Sequence, residues 1–308
     1  MQGGSIWVES IEGTGSTFHL EITYPKCLEP QALKDQQDEI DFSSLVGVKA
    51  LIAEDNDVNV FLARSVLESW GFEVDVAHNG QEAIELVELN NYDIILMDIQ
   101  MPVLSGVDAT YSIRANKNTA KANIPIIALT ANALKGDAEK YLQAGMNSYL
   151  SKPFAEEKLF TKIAELIPHK ATGFKSIKAE AKAEAASIKA DDEAPLYDLS
   201  LIHKMARGNE AFILRTKQLL IDTIPVSVAD MHQKRSSSDF TGVGAVAHKL
   251  KSTIDTMRID RLKDVVREIE RIAKAGGEDL AALDANINLL TQVLNQLIEQ
   301  LKAEIASE

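Results

Sequence analysis

Between Val48 and Ile167 the chain passes repeatedly from a short apolar run to a helical pattern, and three of those runs close on an acid or a hydroxyl. Val48-Lys-Ala-Leu-Ile-Ala53 leads into Glu54-Asp55, Asp93-Ile-Ile-Leu-Met97 into Asp98, and Ile124-Pro-Ile-Ile-Ala-Leu129 into Thr130. Ser148-Tyr149-Leu150 is followed by Lys152-Pro153. Apolar runs of this length are buried strands, and a parallel sheet of them needs helical crossovers. Val58, Leu62, Val66 and Leu67 mark the first helix, which Gly71 ends. Val74 and Val76 give the second strand, and Ala83, Ile84 and Val87 the next helix. Further helices are expected from near Gly106, over Ala131–Gln143 and over Glu156–Leu166. The expected fold of residues 48–168 is a doubly wound, flavodoxin-like α/β domain with five parallel strands.

In such a sheet the strand C-termini converge on one edge, where ligands bind. Glu54, Asp55 and Asp98 would repel one another there unless a cation sat between them. Oxygen ligands of this kind suit Mg2+, which keeps several waters and takes a few carboxylates. Asp55 and Asp98 are the expected direct ligands, with Glu54 close by or acting through water and the backbone carbonyl of Gln100 completing the protein's share. Asp98 is also the expected nucleophile toward a phosphoryl group, its charge offset by the metal and Lys152. Thr130 can donate its hydroxyl to a phosphoryl oxygen. The turn after Ala53 has no Gly-x-Gly-x-x-Gly and no Walker-type loop, which argues against a nucleotide site.

The rest of the chain divides by composition. Residues 1–24 read as a hairpin, Ser5-Ile-Trp-Val-Glu-Ser10 and Phe18-His-Leu-Glu-Ile22 about Glu12-Gly-Thr-Gly-Ser-Thr17, with no partner layer of its own. Residues 25–47 are polar and read as a linker, and so do residues 169–195, rich in Ala, Lys and Glu. Over 196–303 every periodic stretch is helical. Helices are expected near 198–206, 210–234, 239–256, 259–275 and 279–303, with Pro225 kinking or interrupting the second. They would form an all-α, four-helix-type bundle. The formal net charge of −14 argues against nucleic-acid binding. Cys27 is the single cysteine, so no intramolecular disulfide can form. No apolar stretch reaches membrane-spanning length, and a cytoplasmic setting is expected.

In the bundle, Val243, Val246, Ala247, Leu250, Ile254 and Met257 form one apolar stripe. His248 falls on the opposite side with Lys251, Ser252 and Asp255, and is expected to face solvent as an available nucleophile. Lys251 can neutralise a phosphoryl group on it, and Ser252 is small enough to leave that group accessible. His19, His78, His169, His203 and His232 show no metal-ligand spacing. Lys263, Arg267, Glu268, Glu270 and Arg271 read as a solvated helix face.

Glu54-Asp55-Asn56, Met97-Asp-Ile-Gln-Met-Pro102, Ala128-Leu-Thr-Ala131 and Tyr149-Leu-Ser-Lys-Pro153 resemble the receiver domain of two-component signalling. The resemblance implies Asp98 as phosphoacceptor, Mg2+ at Glu54, Asp55 and Asp98, and Thr130 and Lys152 as phosphoryl-sensing groups. It also implies Tyr149 as an aromatic switch, whose rotamer changes when Thr130 is drawn inward. Ala247-His-Lys-Leu-Lys-Ser252 resembles the His-x-Leu-Lys-Gly signature of histidine phosphotransfer (HPt) domains, with Ser252 where glycine is usual. His248 is then the phosphorylated residue. Gln2-Gly-Gly-Ser-Ile-Trp-Val-Glu-Ser10 with Gly13-Thr-Gly-Ser-Thr-Phe18 resembles the last strands of a histidine-kinase ATP-binding domain, without that family's nucleotide boxes. The three together resemble the C-terminal part of a hybrid sensor histidine kinase.

The expected function is a phosphorelay: a kinase phosphohistidine to Asp98, then to His248, then to a separate response regulator. The implied partners are an upstream histidine-kinase core and a downstream receiver. No complete ATP site is expected within these residues, and Met1 is read as an internal methionine. The alternatives are a fragment of a complete ATP-dependent hybrid kinase, and a phosphate sink or docking scaffold.

Overall fold

The computed structural model describes residues 4–11, 15–22, 42–131, 135–170 and 195–307. Cys27 and most of both expected linkers lie outside the described residues. The chain separates into two compact units, 1–39 and 40–308. The first is an antiparallel hairpin of β1 (Gly4–Ile11) and β2 (Gly15–Ile22). Val8 lies opposite Phe18 and Ile6 opposite Leu20, giving one apolar face whose four side chains are all exposed. On the other face Trp7 stacks on His19 with ring centroids 4.9 Å apart.

The second unit opens with a 3-10 turn over Phe42–Leu45 and enters the sheet at β3 (Lys49–Ala53). Then follow α1 (Asp57–Ser69), β4 (Glu73–Ala77), α2 (Gly80–Leu89), β5 (Ile94–Asp98), α3 (Gly106–Arg114), α4 (Thr119–Ala122), β6 (Ile126–Thr130), α5 (Lys135–Gln143), β7 (Ser148–Ser151) and α6 (Glu156–Leu166). The five strands are parallel in the order β4-β3-β5-β6-β7, the doubly wound arrangement. The central strands β5 and β6 are buried throughout, which is why they read as unbroken apolar runs, whereas edge strand β4 exposes Glu73 and Asp75. The short α4 was not expected; Asn118 caps it by accepting from Ala120 N. The described helix α5 covers Lys135–Gln143; Ala131 lies outside it, and 132–134 lie outside the described residues.

Helices α7 (Ser200–Ala206), α8 (Glu210–Ser236), α9 (Phe240–Thr256), α10 (Asp260–Lys274) and α11 (Leu280–Ser307) follow. Asn209 and Asp239 cap α8 and α9 through their side chains, as acceptors for the orphan N–H groups of the first turn. Helix α8 runs without a break through Pro225. Leu220, Ile224, Val243, Leu250, Ile254, Ile269, Leu290 and Leu294 are among the buried core of the bundle. That core continues into the α/β domain: Val58 and Leu62 of α1 are buried in the same cluster, and Phe61 stacks on Phe212 at 5.3 Å. Helix α1 thus packs across α8 and α9, burying an apolar strip that the α/β domain alone would expose. Among the described residues no helix is long and apolar enough to cross a membrane.

Candidate functional site

The sheet's C-terminal edge brings Glu54, Asp55 and Asp98 together, with one carboxylate oxygen from each within 4.8 Å of the others. Glu54 and Asp98 are buried and Asp55 is half-buried. Lys152 enters from the end of β7, next to the cis Lys152–Pro153 peptide. Its Nζ donates to Glu54 Oε2 at 2.9 Å and to Asp98 Oδ2 at 2.7 Å. Asp98 Oδ1 accepts from the Gln100 amide at 3.3 Å, and Glu54 Oε1 from Asn59 Nδ2 at 3.0 Å. Gly106 lets the loop after β5 fold back over the strand end. A Cβ there would stand 1.9 Å from the Asp98 carbonyl oxygen, and the Gly106 amide donates to Ile99 O at 3.0 Å.

Burial, and then the Glu54 charge, push the Asp98 carboxyl up to about 7 against the pull of Lys152. Burial and Glu54 also raise Asp55. Burial acts to lower Lys152, but Glu54 and Asp98 outweigh it and hold the ammonium above the usual lysine range. Two buried acids sharing one ammonium, with a third acid beside them, is an excess of negative charge, and oxygen donors this close fit a hard divalent cation. Thr130 is buried, with its Oγ1 3.3 Å from the Tyr141 hydroxyl. Tyr149 is half-buried, and Lys162 Nζ lies 5.6 Å from its ring centroid.

Across from this edge stands α9. Asn56 makes the junction. Its Oδ1 caps α1, accepting from Val58 N and Asn59 N, while its Nδ2 donates to Lys249 O at 2.8 Å and Thr253 Oγ1 at 3.1 Å. A cleft of 710 Å³ is lined by Asp55 and Gln100 from the α/β domain and by His248, Glu270 and Lys274 from the bundle. His248 is therefore not solvent-facing as the helical wheel suggested. Its side chain is 14% exposed, because the α/β domain and α10 close around it. Ser252, expected on an open face, is likewise buried.

Glu270 is the site residue the sequence reading missed. Far from lying on a solvated face, it is buried, and its Oε1 pairs with His248 Nδ1 at 3.2 Å. Lys251 Nζ donates to its Oε2 at 2.9 Å and Lys274 Nζ to its Oε1 at 2.7 Å. Burial alone would raise this carboxyl, but the hydrogen bonds from His248, Lys274 and Lys251 outweigh it and hold it well below the usual carboxylate range. Lys251 thus reaches His248 through Glu270. A usable signal exists in sequence: Glu270 adjoins the stripe Leu262, Val266, Ile269, Ala273, where an unpaired acid would be costly.

Residues 50–164 match the family model of the response regulator receiver domain, and residues 215–304 that of the Hpt domain. The aerobic respiration control sensor protein ArcB of Escherichia coli (strain K12) is 29% identical over 304 residues, 98% of this chain and 36% of ArcB. The signal transduction histidine-protein kinase BarA of Shigella flexneri is 28% identical over 236 residues, 77% of this chain and 25% of BarA. The chain thus spans about a third or less of these relatives. A crystal structure of the receiver domain of the Pseudomonas aeruginosa PAO1 sensor histidine kinase PA1611, with a magnesium ion in its active site cleft, is 46% identical. It covers 40% of this chain and 99% of that one, with a TM-score of 0.38. The chain joins a receiver domain to an Hpt domain and is homologous to the C-terminal part of hybrid histidine kinases.

Proposed function

We propose that Asp98 takes a phosphoryl group from the phosphohistidine of a histidine-kinase core, that His248 takes it from Asp98, and that a separate response regulator receiver takes it from His248. The observation that carries this reading is the shared cleft, with Asp55, which adjoins Asp98, and Ile99 and Gln100, which follow it, on one wall and His248 with Glu270 on the other. In the first step an Asp98 carboxylate oxygen attacks phosphorus, the N–P bond breaks, and the donor histidine leaves with the bonding pair. In the second, the lone pair of His248 Nε2 attacks, the O–P bond breaks, and the Asp98 carboxylate is restored. His248 Nδ1–H donating to Glu270 leaves Nε2 unprotonated for that attack. Lys152 Nζ, already on Asp98 Oδ2, offsets charge on the acyl phosphate, and Thr130 and Tyr149 respond to it.

We assign Mg2+ to Glu54, Asp55, Asp98 and the Gln100 carbonyl; bound there it would neutralise phosphoryl oxygens during transfer. The test uses the whole chain with Mg2+ and a radiolabelled small acyl phosphate, then a separate receiver. Wild type should label at both Asp98 and His248 and then pass label on. Asp98→Ala should abolish labelling, and His248→Gln should trap it at Asp98. Label reaching His248 normally in Asp98→Ala would refute the order of transfer, and label that never leaves His248 would favour a phosphate sink.

A further inference from the structure

Among the contacts between the receiver and the bundle, two differ in kind. One is the α1 strip and Asn56, near the acceptors. The other lies at the turn between α7 and α8. There Arg207, in the left-handed region at φ 47°, extends its guanidinium to the receiver. Its Nη2 meets Glu156 Oε1 at 2.7 Å and its Nε donates to Glu156 Oε2 at 3.1 Å, a bidentate fork on a buried carboxylate. The same Glu156 Oε1 accepts from Trp70 Nε1 at 2.8 Å. The guanidinium carbon also lies 4.2 Å from the ring centroid of Phe42, which stacks on Trp70 and meets Phe160 edge-on. Lys204 adds a pair to Glu157 at 3.1 Å.

Phe42 precedes the stretch that matches the receiver family, residues 50–164, and Arg207 precedes the stretch that matches the Hpt family, residues 215–304. The α1 strip and Asn56, by contrast, fall inside the receiver match. So on the receiver's side the first contact is made of parts the receiver match includes, whereas the second needs Phe42, which that match leaves out.

We propose that Arg207 with Phe42 and Glu156 is a partner-specificity latch. It recognises a receiver that carries the aromatic turn ahead of its first strand and an acid at the start of its last helix, the receiver of this chain or of a second copy. A receiver lacking the turn docks on the α1 strip alone and leaves sooner. Since the docked receiver covers the face that presents His248, the latch sets how often that face is open to the downstream regulator. This consequence rests on the relay reading; the docking itself does not.

Docking is read without chemistry by amide hydrogen exchange over Asn56–Leu62 in the whole chain. Arg207→Gln should speed exchange there by about fivefold to thirtyfold, the range of a charged fork plus a cation–π contact, and Phe42→Leu, which keeps the fork, by about twofold to fivefold. Arg207 is half-exposed, so its variant leaves the aromatic packing intact and serves where Phe42→Leu fails to fold. Unchanged exchange in Arg207→Gln overturns the latch, whether or not label moves. The specificity is read by transfer between chains, from His248→Gln labelled on Asp98 to Asp98→Ala. Phe42→Leu in the acceptor should raise that rate, because its own receiver releases the bundle while Arg207 remains for the incoming one. Phe42→Leu in the donor should lower it. Effects of the same sign in donor and acceptor overturn the proposal. Absence of transfer in wild type speaks against the relay and leaves the exchange result to decide the latch.

Discussion

Lys152→Met should lower the unfolding midpoint of the receiver by roughly 10–20 °C in chelator, the equivalent of about 3–5 kcal/mol for breaking a buried ion pair. The cause is local. Lys152 and its two partners are each less than a tenth exposed, and the ammonium is shared between Glu54 and Asp98 at 2.9 and 2.7 Å. Removing it leaves two buried carboxylates with Asp55 beside them. Protonation limits the loss, since Asp98 already sits near 7. A carboxyl whose folded pKa is raised keeps its proton longer in the folded state, so stability falls as pH rises from its unfolded value through its folded one. The deficit in metal-free protein should therefore be larger at pH 8 than at pH 6. Magnesium should recover more midpoint in the variant than in wild type at the same concentration, because no ammonium competes for the carboxylates; a hundredfold excess over a protein's own Kd stabilises it by about 2.7 kcal/mol. It should not recover labelling by acyl phosphate, which needs a donor at Asp98 Oδ2. Thermal melts at two pH values with and without Mg2+ check this; a deficit indifferent to Mg2+ would count against a metal among these carboxylates.

The receiver half of this arrangement was legible because strand period and strand ends are local properties. The run Ile94–Met97 is apolar because β5 is central, and the acid that follows is fixed at the sheet edge by that burial. Helix limits in the bundle are local too, set by side-chain caps such as Asn209 and Asp239. What was not legible depends on which surface meets which. A wheel drawn on α9 alone leaves His248 in water, since it contains neither α10 nor the docked receiver. Glu270 reads as one charge among Lys263, Arg267, Glu268 and Arg271 until α10 is laid against α9. Asn56 stands in sequence only as the residue after the acid pair, and its bond across to the Lys249 carbonyl joins residues distant in sequence and adjacent in space. Local pattern gives the acceptors; packing gives the groups that orient them.

Glu270→Ala should slow transfer from Asp98 to His248 by roughly 10- to 100-fold, the range for losing a group that orients a reacting imidazole. Two effects combine. Without Glu270 the Nδ1 proton has no fixed acceptor, so the neutral ring divides between tautomers and Nε2 is unprotonated only part of the time. Lys251 and Lys274 also lose their common anion and are left beside the ring. Glu270→Gln keeps a carbonyl acceptor for Nδ1–H and should recover a large part of the rate, which a merely structural role would not predict. Nitrogen chemical shifts of His248 provide the independent reading: one tautomer in wild type and in Glu270→Gln, a mixture in Glu270→Ala. The pH dependence separates the two replacements. A carboxyl held below its ordinary value contributes stability that is complete above its unfolded pKa, 4.5, and is lost as pH falls from there toward its folded value. Wild-type bundle stability should accordingly fall more steeply below about pH 4.5 than that of Glu270→Gln, which has no such proton to take up. Equal rates and one tautomer in Glu270→Ala would mean that His248 is oriented by its own helix and that Glu270 serves only to neutralise Lys251 and Lys274.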